Sequence, residues 1–135
     1  MPRYVALVDG EAGVYGVSFP DLPGCVAMGR TVDEALANAA DALRDWINVT
    51  EEKAGVPPPR SLEAIRRDAD TIEALREGAS LAIVPLVRDT GRPAKANLSI
   101  DVGILEAIDE EAARRRLTRS AMVELMARRM LSELV

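Results

Sequence analysis

Residues 14–36 read VYGVSFPDLPGCVAMGRTVDEAL, and within this one stretch the chain passes from strand to turn to strand to helix start. Val14, Tyr15, Val17 and Phe19 are residues that favour strands. The following Pro20-Asp21-Leu22-Pro23-Gly24 carries two prolines and a glycine, which turn the chain. Val26 to Met28 is a third short β-type run. Thr31-Val32-Asp33-Glu34 then has the form of a capping box, in which the Thr31 hydroxyl accepts from the backbone N–H of Glu34 and the Glu34 carboxylate reaches back.

Upstream, residues 3–8 (RYVALV) form another β-rich run, joined to residues 14–19 by DGEAG. Asp9-Gly10 and Gly13 supply turn conformations, so the two runs read as a hairpin and the chain opens as a three-stranded meander. Downstream, Val32, Leu36, Ala39, Leu43 and Ile47, with Trp46 beside them, recur at three- and four-residue spacing and predict a helix with one apolar stripe against the sheet. Its other face carries Asp33, Asn38, Asp41, Arg44, Asp45 and Asn48. Gly55 and Pro57-Pro58-Pro59 end that helix. Residues 61–77 read as one broken or two short helices stopped by Gly78. Residues 80–87 (SLAIVPLV) are a buried-type run able to add a fourth strand. Residues 89–93 (DTGRP) are turn formers and mark the boundary between a domain at 1–88 and a second at 94–135.

The second domain opens with strict alternation, Lys95-Ala96-Asn97-Leu98-Ser99-Ile100, and then shows two helical patterns with no further strand. Ile104, Leu105, Ile108 and Ala112 share a face of the first helix; Met122, Val123, Met126, Met130 and Leu134 share a face of the second. Roughly 45 residues bury too little apolar surface to fold alone, and an unpaired strand needs a partner. Two copies meet both needs by pairing their strands antiparallel and interlocking four helices. Alternation then sends Ala96, Leu98 and Ile100 inward and leaves Lys95, Asn97 and Ser99 on the outer face of a two-stranded ribbon, a shape that fits the DNA major groove. Lys donates to guanine, Asn bonds adenine bidentately and Ser suits either. The second helix begins at Thr118, a good N-cap, and its free N–H groups with Arg119 and Ser120 form a phosphate clamp.

Composition narrows the chemistry. With one cysteine there is no internal disulfide, and with no histidine there is no His-based triad, zincin helix or classical zinc finger. No run of 18 apolar residues and no signal-like opening is present, so the chain reads as soluble and cytoplasmic. The net charge of −5 is divided: residues 1–90 carry 9 Lys+Arg against 15 Asp+Glu, and residues 91–135 carry 8 against 7. An acidic body with a locally basic tail suits two partners of opposite charge, a basic protein and a nucleic acid. Asp9, Asp21, Asp33 and Asp41 are metal-site carboxylates by count only. Asp9 falls in the hairpin turn, Asp33 belongs to a helix start and Asp41 to a solvated face. Cys25 has no imidazole to activate it and reads as a small buried hydrophobe. The expectation is a binding protein, not an enzyme, with no cofactor and no metal.

Two resemblances follow from these residues. KANLSID, ILEAIDEEA and LTRSAMVELM, across residues 94–134, resemble the ribbon-helix-helix fold of bacterial repressors. Arg116 stands where such proteins often carry glycine, and Ala121 where they commonly carry glutamate. Residues 14–36 resemble the signature of the HicB antitoxins: an aromatic-containing strand, SFPDLPGC, a short strand and a T-x-D-E-A helix start. With residues 3–8, residues 31–50 and the C-terminal module, the likeness covers the chain except residues 55–80. It implies an α+β fold, a small antiparallel sheet with a packed helix in a partial ribonuclease-H-like arrangement, followed by the ribbon-helix-helix module. It also implies a HicA-type RNA-cleaving toxin as partner and binding to the operator DNA of a toxin–antitoxin operon. The protein would then be a homodimer through the C-terminal strand, with N-terminal domains able to join dimers into tetramers. The FPDLP turn (Phe19, Asp21, Leu22, Pro23) is the expected toxin contact; the other reading makes it a sheet-closing turn with Phe19 in the core. A free-standing ribbon-helix-helix regulator, with a ligand-sensing or oligomerising N-terminal domain, is the alternative function.

Overall fold

The computed structural model describes residues 1–51, 53 and 55–133, and its first strand, β1 (Arg3–Glu11), runs on past Asp9-Gly10 before the chain reverses. The expected turn at Asp9-Gly10 is therefore corrected: Ala12-Gly13 makes it, and β2 (Val14–Ser18) returns with Asp9 opposite Gly16 and Gly10 opposite Tyr15. Gly10 is what lets the ladder continue. Its φ is +111°, and a Cβ there would stand 2.1 Å from the Val14 carbonyl oxygen, so no other residue fits.

β3 (Val26–Gly29) pairs with β2, and β4 (Ser80–Pro85) pairs with the far edge of β1, giving a four-stranded sheet ordered β3-β2-β1-β4 with every pair antiparallel. The fourth strand expected at 80–87 is thus present. Alternation assigns Tyr4, Ala6, Val8, Val17 and Val84 to one face, where they form a core with α1 (Val32–Glu51). Thr31 caps that helix as the capping box predicts, accepting from Glu34 N at 3.1 Å.

The buried stripe of α1 is Ala35, Ala39, Leu43 and Ile47, one residue out of phase at its start with the expected Val32 and Leu36. Val32 is exposed and Leu36 is only partly buried. Close approach of backbone decides this. Gly29 brings β3 so near the first helical turn that a Cβ on it would lie 2.4 Å from Ala35 N, and only alanine on the helix side fits such contact. Further along, burial of Leu43 and Ile47 contributes about 1.5–3 kcal/mol each.

Two short helices lie between α1 and β4: α2 (Leu62–Ile65), whose N-cap Ser61 hydroxyl accepts from Ala64 N at 3.1 Å, and α3 (Ala69–Arg76). Ile65 and Thr71 are buried, and Thr71 shares a small cavity with Leu7 and Ser18, which places α3 over the outer sheet face. α3 ends as the glycine signal implies. Gly78, at φ +107°, donates to Leu75 O while Ala79 N reaches back to Ala74 O, a Schellman end.

The chain folds as two compact units, Met1–Arg88 and a second beginning at Asp89. In the second, α4 (Val102–Arg114) starts at Asp101, whose carboxylate accepts from Gly103 N and Ile104 N at 2.9 and 3.2 Å. α5 (Arg119–Glu133) packs back on it, with Ile108, Ala112 and Met122 buried together and Val123 and Leu125 alongside. Ile104, Met126 and Met130, expected on the apolar faces, are exposed in the single chain, and Leu134 lies outside the described residues. The strand expected at residues 95–100 is not formed in the single chain. Leu98, expected inward, is 69% exposed. No helix among the described residues is long and apolar enough to cross a membrane.

Candidate functional site

The β2–β3 connection is two successive turns, Leu22 N bonding Phe19 O and Cys25 N bonding Leu22 O, both at 3.0 Å. They fold Phe19, Leu22 and Cys25 into the core and leave Pro23 exposed. Of the expected contact residues, Phe19 and Leu22 therefore support the turn from beneath. Asp21 is engaged within the unit: its side chain is 6% exposed, and its carboxylate accepts from both the backbone N–H (2.8 Å) and the Nε of Arg60.

Arg60 also donates to Asp68 at 2.8 Å, holding the Asp68 carboxyl below its usual range. Nearby, the Tyr4 hydroxyl donates to Pro57 O at 2.8 Å, and burial raises the pKa of that phenol. Residues 57–68, in the stretch that carries no recognisable motif, thus brace the turn from the side. No sequence signal singles out Arg60: its partner is 39 residues away, and no local spacing rule reaches so far.

In the second unit Lys95, Asn97 and Ser99 are exposed and outside any helix or strand. Thr118 caps α5 as expected, accepting from Ala121 N at 3.1 Å, with Arg119 and Ser120 exposed at its first turn. Arg119 is not idle. Its Nε and Nη2 donate to the two Asp109 oxygens at 2.8 and 2.7 Å, which lowers the Asp109 pKa. Arg114 and Arg115 both grip Glu111 and hold its carboxyl down to about 2. Arg116, the third of the arginine run, has no ion pair among the described residues and sits at φ +57°.

The four counted carboxylates do not converge. Asp9 stands on the outer face of β1 and not in a turn; Asp21 is bound to Arg60; Asp33 lies in the first turn of α1; Asp41 pairs with Arg44 at 3.0 Å. Among the described residues no three His, Cys, Asp or Glu side chains are placed to hold a metal ion. Burial pushes the Cys25 thiol up to about 11, so it stays protonated at neutral pH and is a poor nucleophile.

A capped helix behind an antiparallel meander, a braced SFPDLPGC turn and a terminal helix pair make up the geometry, and the sequence that builds it, from residue 4 to 127, matches the family model described as the HicB-like antitoxin of bacterial toxin–antitoxin systems. The chain belongs to the HicB-like antitoxin family. Among solved structures, this family member is similar to the antitoxin HicB of Burkholderia pseudomallei, with 26% identity and a TM-score of 0.51 over 98% of both chains. It also shares its fold with a chain of the HicA3 and HicB3 toxin–antitoxin complex, at 24% identity and a TM-score of 0.51; the match covers 64% of the present antitoxin-family chain and 98% of the other. A 14.9 kDa protein of the rep–hol intergenic region of Haemophilus phage HP1 is 28% identical over 97 residues, 71% of each chain.

Proposed function

We propose that residues 1–88 bind and neutralise a HicA-type RNA-cleaving toxin, that residues 94–135 form a ribbon-helix-helix dimer, and that this dimer represses the operon encoding both proteins. The observation that carries the reading is the family match, which takes in both units. For the toxin, support comes from the HicA3–HicB3 likeness, whose 64% coverage is about the share of the chain that the first unit makes up. Pro23 is the exposed point of the FPDLP contact, with Phe19, Asp21 and Leu22 fixing its position. A partial ribonuclease-H-like description of the first unit belongs to this proposal, as do assembly into tetramers and a cytoplasmic setting.

For the DNA half, support comes from the unpartnered apolar residues. Leu98, Ile100, Ile104, Met126 and Met130 are exposed in one chain, and a strand-paired second copy would cover them. Such pairing would leave Lys95, Asn97 and Ser99 facing base edges, with the capped N-terminus of α5 toward phosphate.

Co-purification with the product of the adjacent reading frame, followed by an RNA-cleavage assay of that product, tests the antitoxin half; stoichiometric inhibition is the expected result, and no complex overturns it. For the DNA half, Asn97→Ala should weaken operator binding by about 1–3 kcal/mol while the fold survives. Unaltered operator affinity counts against the ribbon.

A further inference from the structure

We propose that the outer face of the sheet at β2 and β3 is the surface on which the toxin docks, through an apolar contact flanked by the carboxylates of Asp9 and Glu11, which meet cationic side chains of the toxin; this rests on the antitoxin reading above. Val14, Val26 and Met28 are 60%, 62% and 60% exposed, and strand alternation places all three on the face opposite α1. On that face α3 shares a cavity with Leu7 and Ser18, while Val14, Val26 and Met28 stay exposed. Exposed aliphatic side chains clustered on one sheet face mark a contact surface more often than scattered ones do.

The middle of this surface has an unusual floor. Met28 lies opposite Gly16, and Gly16 lies opposite Asp9, so only a glycine separates a thioether from a carboxylate. A Cβ on Gly16 would stand 2.8 Å from Asp9 Oδ1, so the Asp9 carboxylate lies over this glycine. Glu11 faces Val14 in the next pair along. Toward the turn the surface runs into a cavity of about 150 Å³ lined by Ser18, Pro20 and Asp70 among others, continuous with the FPDLP segment.

The charges select the occupant. A second copy brings the same two carboxylates to this face and no opposite charge to meet them, so it gains less there than a basic partner does. A basic protein instead sets an apolar side chain against Val14, Val26 and the flexible Met28, and lysine or arginine against Asp9 and Glu11. A toxin that binds RNA carries that kind of surface.

The test uses the full chain with the product of its adjacent reading frame, titrating inhibition of RNA cleavage. Met28→Lys and Asp9→Lys should each weaken inhibition by at least about 30-fold, the size of one interface hot spot, with thermal unfolding unchanged. Asp9→Asn, which keeps the shape, should weaken it less. Val49→Lys, an exposed site on α1, should leave inhibition within about twofold, since α1 lies on the other sheet face. If both lysine variants inhibit as well as the natural chain, the docking face is wrong and the antitoxin reading stands. Equal loss with Val49→Lys would mean a general charge effect and overturn the face as well. Absence of inhibition by the unaltered chain would overturn the antitoxin reading itself. An altered oligomeric state with toxin affinity intact would make this face a contact between copies and sink the proposal.

Discussion

Arg116 occupies the left-handed region at φ +57°, and it does so at a Schellman helix end: its N–H donates to Ala113 O at 3.1 Å and Leu117 N to Ala112 O at 2.8 Å. Gly78 closes α3 in the same way without a side chain to strain. An L-residue in this region costs about 1–2 kcal/mol, so Arg116→Gly should stabilise the α4–α5 pair by about 1 kcal/mol in urea unfolding. A fall in stability would mean that the arginine side chain makes compensating contacts. This slot was legible in the sequence, because a helix pattern breaking at Arg116 and resuming after a threonine cap leaves few places for the reversal. The Asp21–Arg60 clasp was not legible. A carboxylate in a proline-rich turn reads equally as a free binding residue or a satisfied one until the distant partner is known.

On α4, Glu111 is shared by Arg114 one turn on and by Arg115 at the next position. These partners hold its carboxyl at about 2 against an ordinary 4.5. A depressed carboxylate pKa stabilises the folded form above the unfolded value, and the contribution is lost as pH falls through the folded one. Helix content should therefore drop between about pH 4.5 and pH 2, and Glu111→Gln should show a smaller drop over that window by circular dichroism. Equal drops would assign the acid sensitivity to other carboxylates. The element boundaries show where periodicity is informative and where it fails. Three- and four-residue spacing located α1, but the phase of its stripe was set by Gly29 on a neighbouring strand, and no helix-only pattern contains that fact. Asp9-Gly10 carries turn chemistry that the ladder overrode, because a glycine at positive φ also serves a strand that must pass close to a carbonyl.

At the scale of the whole molecule, the four-stranded sheet with its packed helix was readable because the β-type runs are separated by glycine- and proline-bearing turns and followed by a helix with a clear threonine cap. At residues 95–100 the sequence pattern expresses a strand that the single chain does not form. Its alternation is strict, yet Leu98 stays exposed. Leu98→Lys should accordingly shift the full chain toward monomer in sedimentation velocity while leaving the first unit's thermal unfolding unchanged. Retained dimer would place the self-association elsewhere. One further consequence lies in the stretch from Arg88 to Asp101, every residue of which is exposed and outside helix and strand. Such a tether is open to proteases. Trypsin has targets at Arg88 and Lys95, of which ribbon pairing would shield Lys95, whereas Arg92 precedes a proline and resists cutting in either state. Under the proposed function, one cut there parts the two activities: the N-terminal fragment would go on holding its toxin, but no longer in the same molecule as the DNA-binding module, so toxin binding and repression would cease to report on each other.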